Sequence, residues 1–260
     1  LTFLGEKANS SISLRDALLA SGTGDFYQNL LRPFLEGVFL DELENVDSSY
    51  GREIIKSFVL GDSGLPSAGV GALTEALGAR IENVYLNSPV DSLSQFEGKK
   101  VILATDSATS SKMLGRSNDI ATVSSVTWYH SVPANLITST QLRVTSTASP
   151  LVNSIAISNV VSQYAPEGKT LLSSTTLHPL SDQEALMEIA KFWGTAPSEF
   201  EFIKRYEIKS ALPAFKPGRK GVSSAQVRDS VFIAGDYLTA GSQNGALLSG
   251  RLAATESLAN

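Results

Sequence analysis

The residues best suited to chemistry lie in GDYLTAGSQNGALLSGRLAA, Gly235 to Ala254. An apolar run, VFIA, leads into this stretch and a helix of small residues leads out. Asp236 stands at the strand end. Helix N-termini expose free N–H groups and carry about half a positive charge. Ser242, Gln243 and Asn244 can donate or accept hydrogen bonds, while Gly245 and Ala246 leave space for close approach. A carboxylate at position 236 repels phosphate unless it accepts hydroxyls or acts through water. A flavin dinucleotide offers a match at both ends: ribityl hydroxyls for Asp236, and an electron-rich N1/O2 edge for the helix N-terminus. A strand–turn–helix with an acidic cap and no ligand has the same sequence, so both readings stand at this point.

Other motifs carry less. Gly69-Val70-Gly71 begins like a dinucleotide loop, but Thr74 holds the sixth position and the preceding DSGLPSA is a turn. The fingerprint needs strand, glycine loop and helix in that order, so a tight turn before a helix is the better reading. FVLGDSG, Phe58 to Gly64, reads as a strand followed by Gly-Asp-Ser. A nucleophilic Ser63 needs a base and an orienting acid. Only His130 and His178 could supply the imidazole, and neither stands in a hydrolase order; each reads as a packing histidine. KPGRKG, Lys216 to Gly221, is the one basic cluster, a solvated loop or a face for an anionic ligand.

Composition narrows the classes. The 260 residues are 42% hydrophobic and 18% charged, with net charge −5, which is ordinary globular composition with an ample core. No global basic field for nucleic acid exists. The absence of cysteine excludes disulfides, thiolate metal sites and cysteine catalysis. Two histidines cannot build a histidine-rich metal centre. No run approaches the ~18 apolar residues of a membrane span and nothing resembles a secretion signal. A cytoplasmic location is therefore expected, and the sequon Asn9-Ser10-Ser11 carries little weight.

These candidates must be positioned by a mixed set of elements. SLRDALLA reads as a helix capped by Ser13, and Asp25 can cap a second, DFYQNLL, that runs into Arg32-Pro33. FLEGVFLDEL has helical spacing, so the first 60 residues are mainly helical. Gly64 and Pro66 make a turn before a helix over Ala72–Ile81. NVYLNSPVDSL and KKVILATD read as strands. So do ATVSSVTWYH, QLRVTST and NSIAISNVV, as antiparallel strands. Ser181 with Glu184 forms a capping box for an amphipathic helix. EFIKRYEIKSALP and VFIAG are strands, and Gly245 to Leu258 is the last helix. The expected class is mixed α/β without strict βαβ alternation.

Four segments resemble, in order, the C-terminal part of the flavin-containing amine oxidase and phytoene desaturase superfamily. They are LLRPFLEGVFLDEL; GLPSAGVGALTEALGARI; VYLNSPVDSL with VILATD; and VFIAGDYLTAGSQNGALLSGRLAA. The resemblance implies an FAD-dependent oxidoreductase passing hydride from an organic substrate to flavin. By position, the backbone at Val90 would meet the adenine and Ala104 and Thr105 would lie near the dinucleotide. Gly235 and Asp236 would contact the pyrophosphate–ribityl region. Gln243, Asn244, Gly245 and Ala246 would approach the isoalloxazine. The implied division is a helical part of the substrate lobe (1–79), a β-meander of the FAD domain (80–110), a substrate-lobe sheet and helix (111–212) and a closing FAD-binding segment (213–260).

One departure matters. The family's FAD domain opens with a βαβ unit carrying GxGxxG, and this chain has none. A partial FAD-binding domain is therefore expected, interleaved with a substrate lobe. The missing N-terminal half would come from the same gene or another chain, and FAD binding by this chain alone is expected to be weak or absent. The alternative is a non-catalytic binding module derived from such an enzyme. The Leu- and Phe-rich first helices favour an apolar small-molecule substrate, though any buried helical layer has the same composition.

Overall fold

The computed structural model describes residues 2–5, 11–145, 149–219 and 224–259. The sequon at Asn9-Ser10 lies outside the described residues, as do the last two residues of QLRVTST and of KPGRKG.

Helices begin where the sequence supplies caps. Ser13 accepts the amide of Asp16 and starts Leu14–Ala20. Asp47 accepts the amide of Tyr50 and starts Ser48–Leu60. Ser181 and Glu184 form the reciprocal capping box of Asp182–Trp193, and Gly194 in the left-handed region closes that helix, a conformation glycine adopts without a Cβ penalty. Asp25 does not cap. It lies inside a first turn, Gly24–Phe26, that continues through a wide turn, Tyr27–Leu31, into Arg32–Phe39. Pro33 lacks a donor, and the wide turn just before it lets the helical path continue. Leu14, Leu18, Tyr27, Leu35, Phe39 and Leu43 make the core of this helical layer.

Among the described residues seven strands follow: β1 (Val101–Leu103), β2 (Thr122–Pro133), β3 (Leu151–Ala156), β4 (Lys169–Thr176), β5 (Glu201–Pro213), β6 (Gln226–Arg228) and β7 (Val231–Ile233). They form two sheets. The larger has order β3-β4-β2-β5 and is antiparallel throughout. Helix Asp182–Trp193 covers one face of it, through Trp128, Leu172, Ile189 and Trp193. Burying a side chain such as Leu172 contributes about 1.5–3 kcal/mol. Buried polar groups are paired: the Trp193 indole donates to Ser154 Oγ at 2.8 Å, and the Trp128 indole to Thr176 Oγ1 at 3.2 Å.

The smaller sheet has order β1-β7-β6, with β1 and β7 parallel and β6 antiparallel to β7. Both of its faces are covered, as parallel pairs require. Ile233 packs with Leu103, Met113 and Leu114 on one side. Phe232 and Ala234 pack with Ala253 of helix Gln243–Ala259 on the other.

Four stretches differ from the sequence expectation. Phe58–Leu60 ends a helix and is not a strand. Residues 84–92 run without regular structure where a strand was expected, so only β1 carries strand structure in the 80–110 stretch. Arg143 makes a lone bridge to Ser154 rather than a strand, and Ile157–Val160 is a helical turn. The helix expected over Ala72–Ile81 spans Gly71–Gly78. From Glu53 to Ile102 no residue is buried. A strand there would have no neighbour to pair with and nothing to bury its apolar face against.

Candidate functional site

Parallel pairing fixes the site. Leu103 lies opposite Ile233, and the Ala234 amide donates to the Leu103 carbonyl at 2.9 Å. The chain therefore leaves both strands at the same end, which sets Ala104-Thr105 beside Gly235-Asp236. Ligands of open α/β sheets bind outside such carboxyl ends. The Gly235 amide donates to Ser249 Oγ at 2.9 Å, and Ser249 Oγ donates to the Ala246 carbonyl at 2.8 Å. Thr239 Oγ1 donates to the Gly245 carbonyl at 2.7 Å. These bonds bring the first turn of helix Gln243–Ala259 to the same end. Seven sequence-predicted residues thus come together: Ala104, Thr105, Gly235, Asp236, Gln243, Asn244 and Ala246. Gly245, in the same helical turn, is buried. Val90 does not join by any regular element; it lies exposed in the irregular stretch before Leu93.

The helix start is part capped and part open. Ser242 Oγ accepts the Gly245 amide at 3.1 Å, and the Ser242 carbonyl accepts the Ala246 amide at 2.9 Å. The amides of Gln243 and Asn244 have no acceptor among the described residues, and both residues are exposed. Two donors therefore face outward, as an anionic or carbonyl edge requires. The glycines have another cause. A Cβ on Gly245 would overlap the Ala240 backbone, and one on Gly235 would overlap the Tyr237 ring. Both glycines are accounted for by the chain's own packing.

Asp236 opens the turn Asp236–Leu238. Burial raises its carboxyl above the ordinary carboxylate range, against its own turn amides and the nearby Arg219 charge. Asp106, at the end of the segment that leaves β1, has the opposite environment: the Thr109 hydroxyl and amide hold its carboxyl below the ordinary range. Asp106, Asn118, Thr122, Pro213, Asp236 and Tyr237 border a cleft of about 110 Å³. Pockets that enclose small ligands measure about 300–1,000 Å³, so this cleft is smaller than such a pocket.

A stack missed in the sequence stands behind Asp236. The Arg219 guanidinium lies 4.0 Å from the centre of the Phe215 ring, and Phe215 stacks on Tyr50 at 4.2 Å. Arg219 donates to the Tyr237 carbonyl. Burial and the neighbouring Asp236 push the Tyr50 hydroxyl up to about 12. Arg219 belongs to KPGRKG, so its signal was the basic cluster. Tyr50 carried no signal, because only the tertiary fold brings it to Phe215.

The hydrolase reading finds no geometry. Ser63 is exposed in an irregular turn and has no hydrogen bond to His130 or His178 among the described residues. His130 is buried between Phe200 and Phe202, whose ring centres lie 6.1 and 5.6 Å away. His178 is exposed, and its carbonyl accepts the Thr176 hydroxyl. Among the described residues, no helix is long and apolar enough to cross a membrane.

No protein-family model matches the chain, and no curated protein matches it. Solved structures do. An oxidoreductase from Methanosarcina mazei matches 98% of this chain over 70% of its own, at 13% identity and a TM-score of 0.65. The PF1083 protein from Pyrococcus furiosus matches with the same coverage and identity, at 0.68. A redesigned putrescine oxidase matches 96% of this chain over 68% of its own, at 14% identity and 0.63. At such identities the likeness speaks for the fold alone. The chain has the mixed α/β fold that the oxidoreductases among these proteins share, the FAD-type fold expected from the sequence, present here in part.

Proposed function

We propose that this chain is the C-terminal portion of an FAD-dependent oxidoreductase, desaturase-like or amine-oxidase-like. One observation carries the reading. Parallel pairing of β1 with β7 unites Ala104-Thr105 and Gly235-Asp236, far apart in sequence, under the open N-terminus of the longest described helix. A flavin bound there would supply a two-electron sink for oxidation of an organic substrate. The chain's own residues would hold and orient it. The Gln243 and Asn244 amides offer donors to an electron-rich edge. Asp236 offers acceptors to hydroxyls, and its half-buried place suits a neutral partner better than phosphate. The antiparallel sheet with its helix would shield the site from water.

The cleft is too small to hold the cofactor unaided, so the reading requires a complementary portion with the GxGxxG unit. The test is the coding region upstream of Leu1. The expected result is an in-frame strand–GxGxxG–helix unit and a longer protein purified with stoichiometric flavin. A longer protein that contains that unit, folds and stays colourless after FAD addition would overturn the reading.

A further inference from the structure

A second cleft, of about 520 Å³, opens where helix Asp182–Trp193 ends beside the chain that leads into β3. Its volume lies within the range of pockets that enclose small ligands, about 300–1,000 Å³. It shares no lining residue with the cleft at Asp236. That cleft meets the larger sheet at β5, while this one adjoins β3 through Arg143. In the order β3-β4-β2-β5 the two strands stand three spacings apart, about 14 Å. Leu142, Val144 and Phe192 supply apolar wall, and Arg143, Glu188 and Lys191 supply charge.

One residue holds Arg143 at both ends. The Arg143 amide donates to the Ser154 carbonyl at 2.9 Å, and its carbonyl accepts the Ser154 amide at 3.0 Å. The Arg143 guanidinium lies 4.2 Å from the centre of the Trp193 ring. The Trp193 indole donates in turn to Ser154 Oγ at 2.8 Å. Trp193 is buried, so the platform under the guanidinium is fixed. Stacking on a ring uses the face of a guanidinium and leaves its in-plane donors for a ligand. Those donors have no hydrogen bond or ion pair among the described residues. Glu188 and Lys191 share a face of the last helical turns and have no ion pair there either. Two cations against one carboxylate leave the cleft a surplus of one positive charge.

We propose that this cleft binds a small organic carboxylate with a flat apolar body, at a site separate from the flavin-binding end. A carboxylate fits the paired donors of a guanidinium, two parallel N–H···O bonds in one plane. A monoanion answers the single surplus charge, whereas a phosphate dianion would leave one charge uncompensated beside Glu188. The apolar body lies against Phe192, Leu142 and Val144. The proposal stands apart from the flavin reading, because it uses none of the same residues.

Benzoate is the probe, titrated into the protein as its full coding region encodes it and followed by the indole N–H resonance of Trp193. Saturation by one benzoate per chain at millimolar concentration is expected, an ordinary strength for so small a ligand. Benzamide, which lacks the charge, should bind at least about tenfold more weakly, and so should acetate, which lacks the apolar body. Arg143→Gln should weaken benzoate by about tenfold or more. Arg143→Lys should do nearly the same, since an ammonium has no planar fork. Glu188→Gln should tighten benzoate by about twofold or more. Equal binding of benzamide and benzoate overturns the proposal. So does an Arg143→Gln variant that binds benzoate as the unaltered protein does, or a Trp193 resonance that shows no saturable shift. Should Arg143→Gln fail to fold, Glu188→Gln decides: unchanged or weaker benzoate binding in that surface variant overturns the proposal. None of these measurements involves flavin, so failure here leaves the functional reading where it stood.

Discussion

His130 and Gly245 show how a residue's surroundings decide its role. Gly245 stood out in the sequence as a candidate for chemistry and His130 read as a packing histidine; packing accounts for both. Burial lowers the His130 pKa, partly countered by Asp182, so the folded state holds the imidazole neutral. The unfolded chain takes a proton below about pH 6.5 and the folded chain only at a lower pH. Stability from this group is thus intact above that pH and falls as pH drops toward the lower folded pKa. Urea unfolding between pH 8 and pH 5 should show this loss in the native chain and a flatter profile in His130→Gln. For Gly245→Ala, the gain in helix propensity is about 1 kcal/mol. Overlap with the Ala240 backbone cannot be relieved by rotating a side chain, and such overpacking costs about 1–3 kcal/mol. A net loss of stability without any ligand is expected, read as a lower urea midpoint. Flavin loss in a Gly245→Val variant would therefore not by itself place a flavin at the helix.

At the level of elements, helices were easier to read than the sheet. Ser13, Asp47 and Ser181 are local signals, because a cap bonds an amide three residues away. Ser181→Ala should lower stability by about 1 kcal/mol with the helix otherwise retained, measured by denaturant unfolding and far-UV dichroism. β4 gave no such signal. Its inward positions are Thr170, Leu172, Ser174 and Thr176, so the buried face is mostly hydroxyls and the apolar alternation that marks a strand is missing. Those hydroxyls are satisfied by Asn159, Ser154 and Trp128, partners distant in sequence. The opposite error arose at residues 84–92, where the apolar residues Val84, Tyr85, Leu86 and Val90 met no strand to pair with. The wide turn before Pro33 was equally hidden, because the sequence there reads as two helices broken at the proline.

Across the whole molecule, the order of segments led to the fold, and the candidate site was legible wherever its residues lay near strand ends or the helix start. Tyr50 and Phe215 were not, since their stack joins a helix to a loop through tertiary packing alone. The same scale governs cofactor binding. With a cleft of about 110 Å³, the purified 260-residue chain should leave added FAD fluorescence nearly unquenched at micromolar concentration. Stoichiometric yellow colour in the monomer would contradict this. The completed protein should bind strongly, and the difference measures what the complementary portion supplies.

The stretch from Glu53 to Ile102, with no buried residue, has a consequence for handling the protein. Trypsin finds Arg80 and Lys99 there, both at the surface and outside regular structure. Limited digestion should nick the chain at these points first, long before the strands beyond. The pieces should then travel together through a sizing column, because the polypeptide on either side stays clamped: Asp47 to the Phe215 carbonyl at 2.7 Å, and β1 to β7.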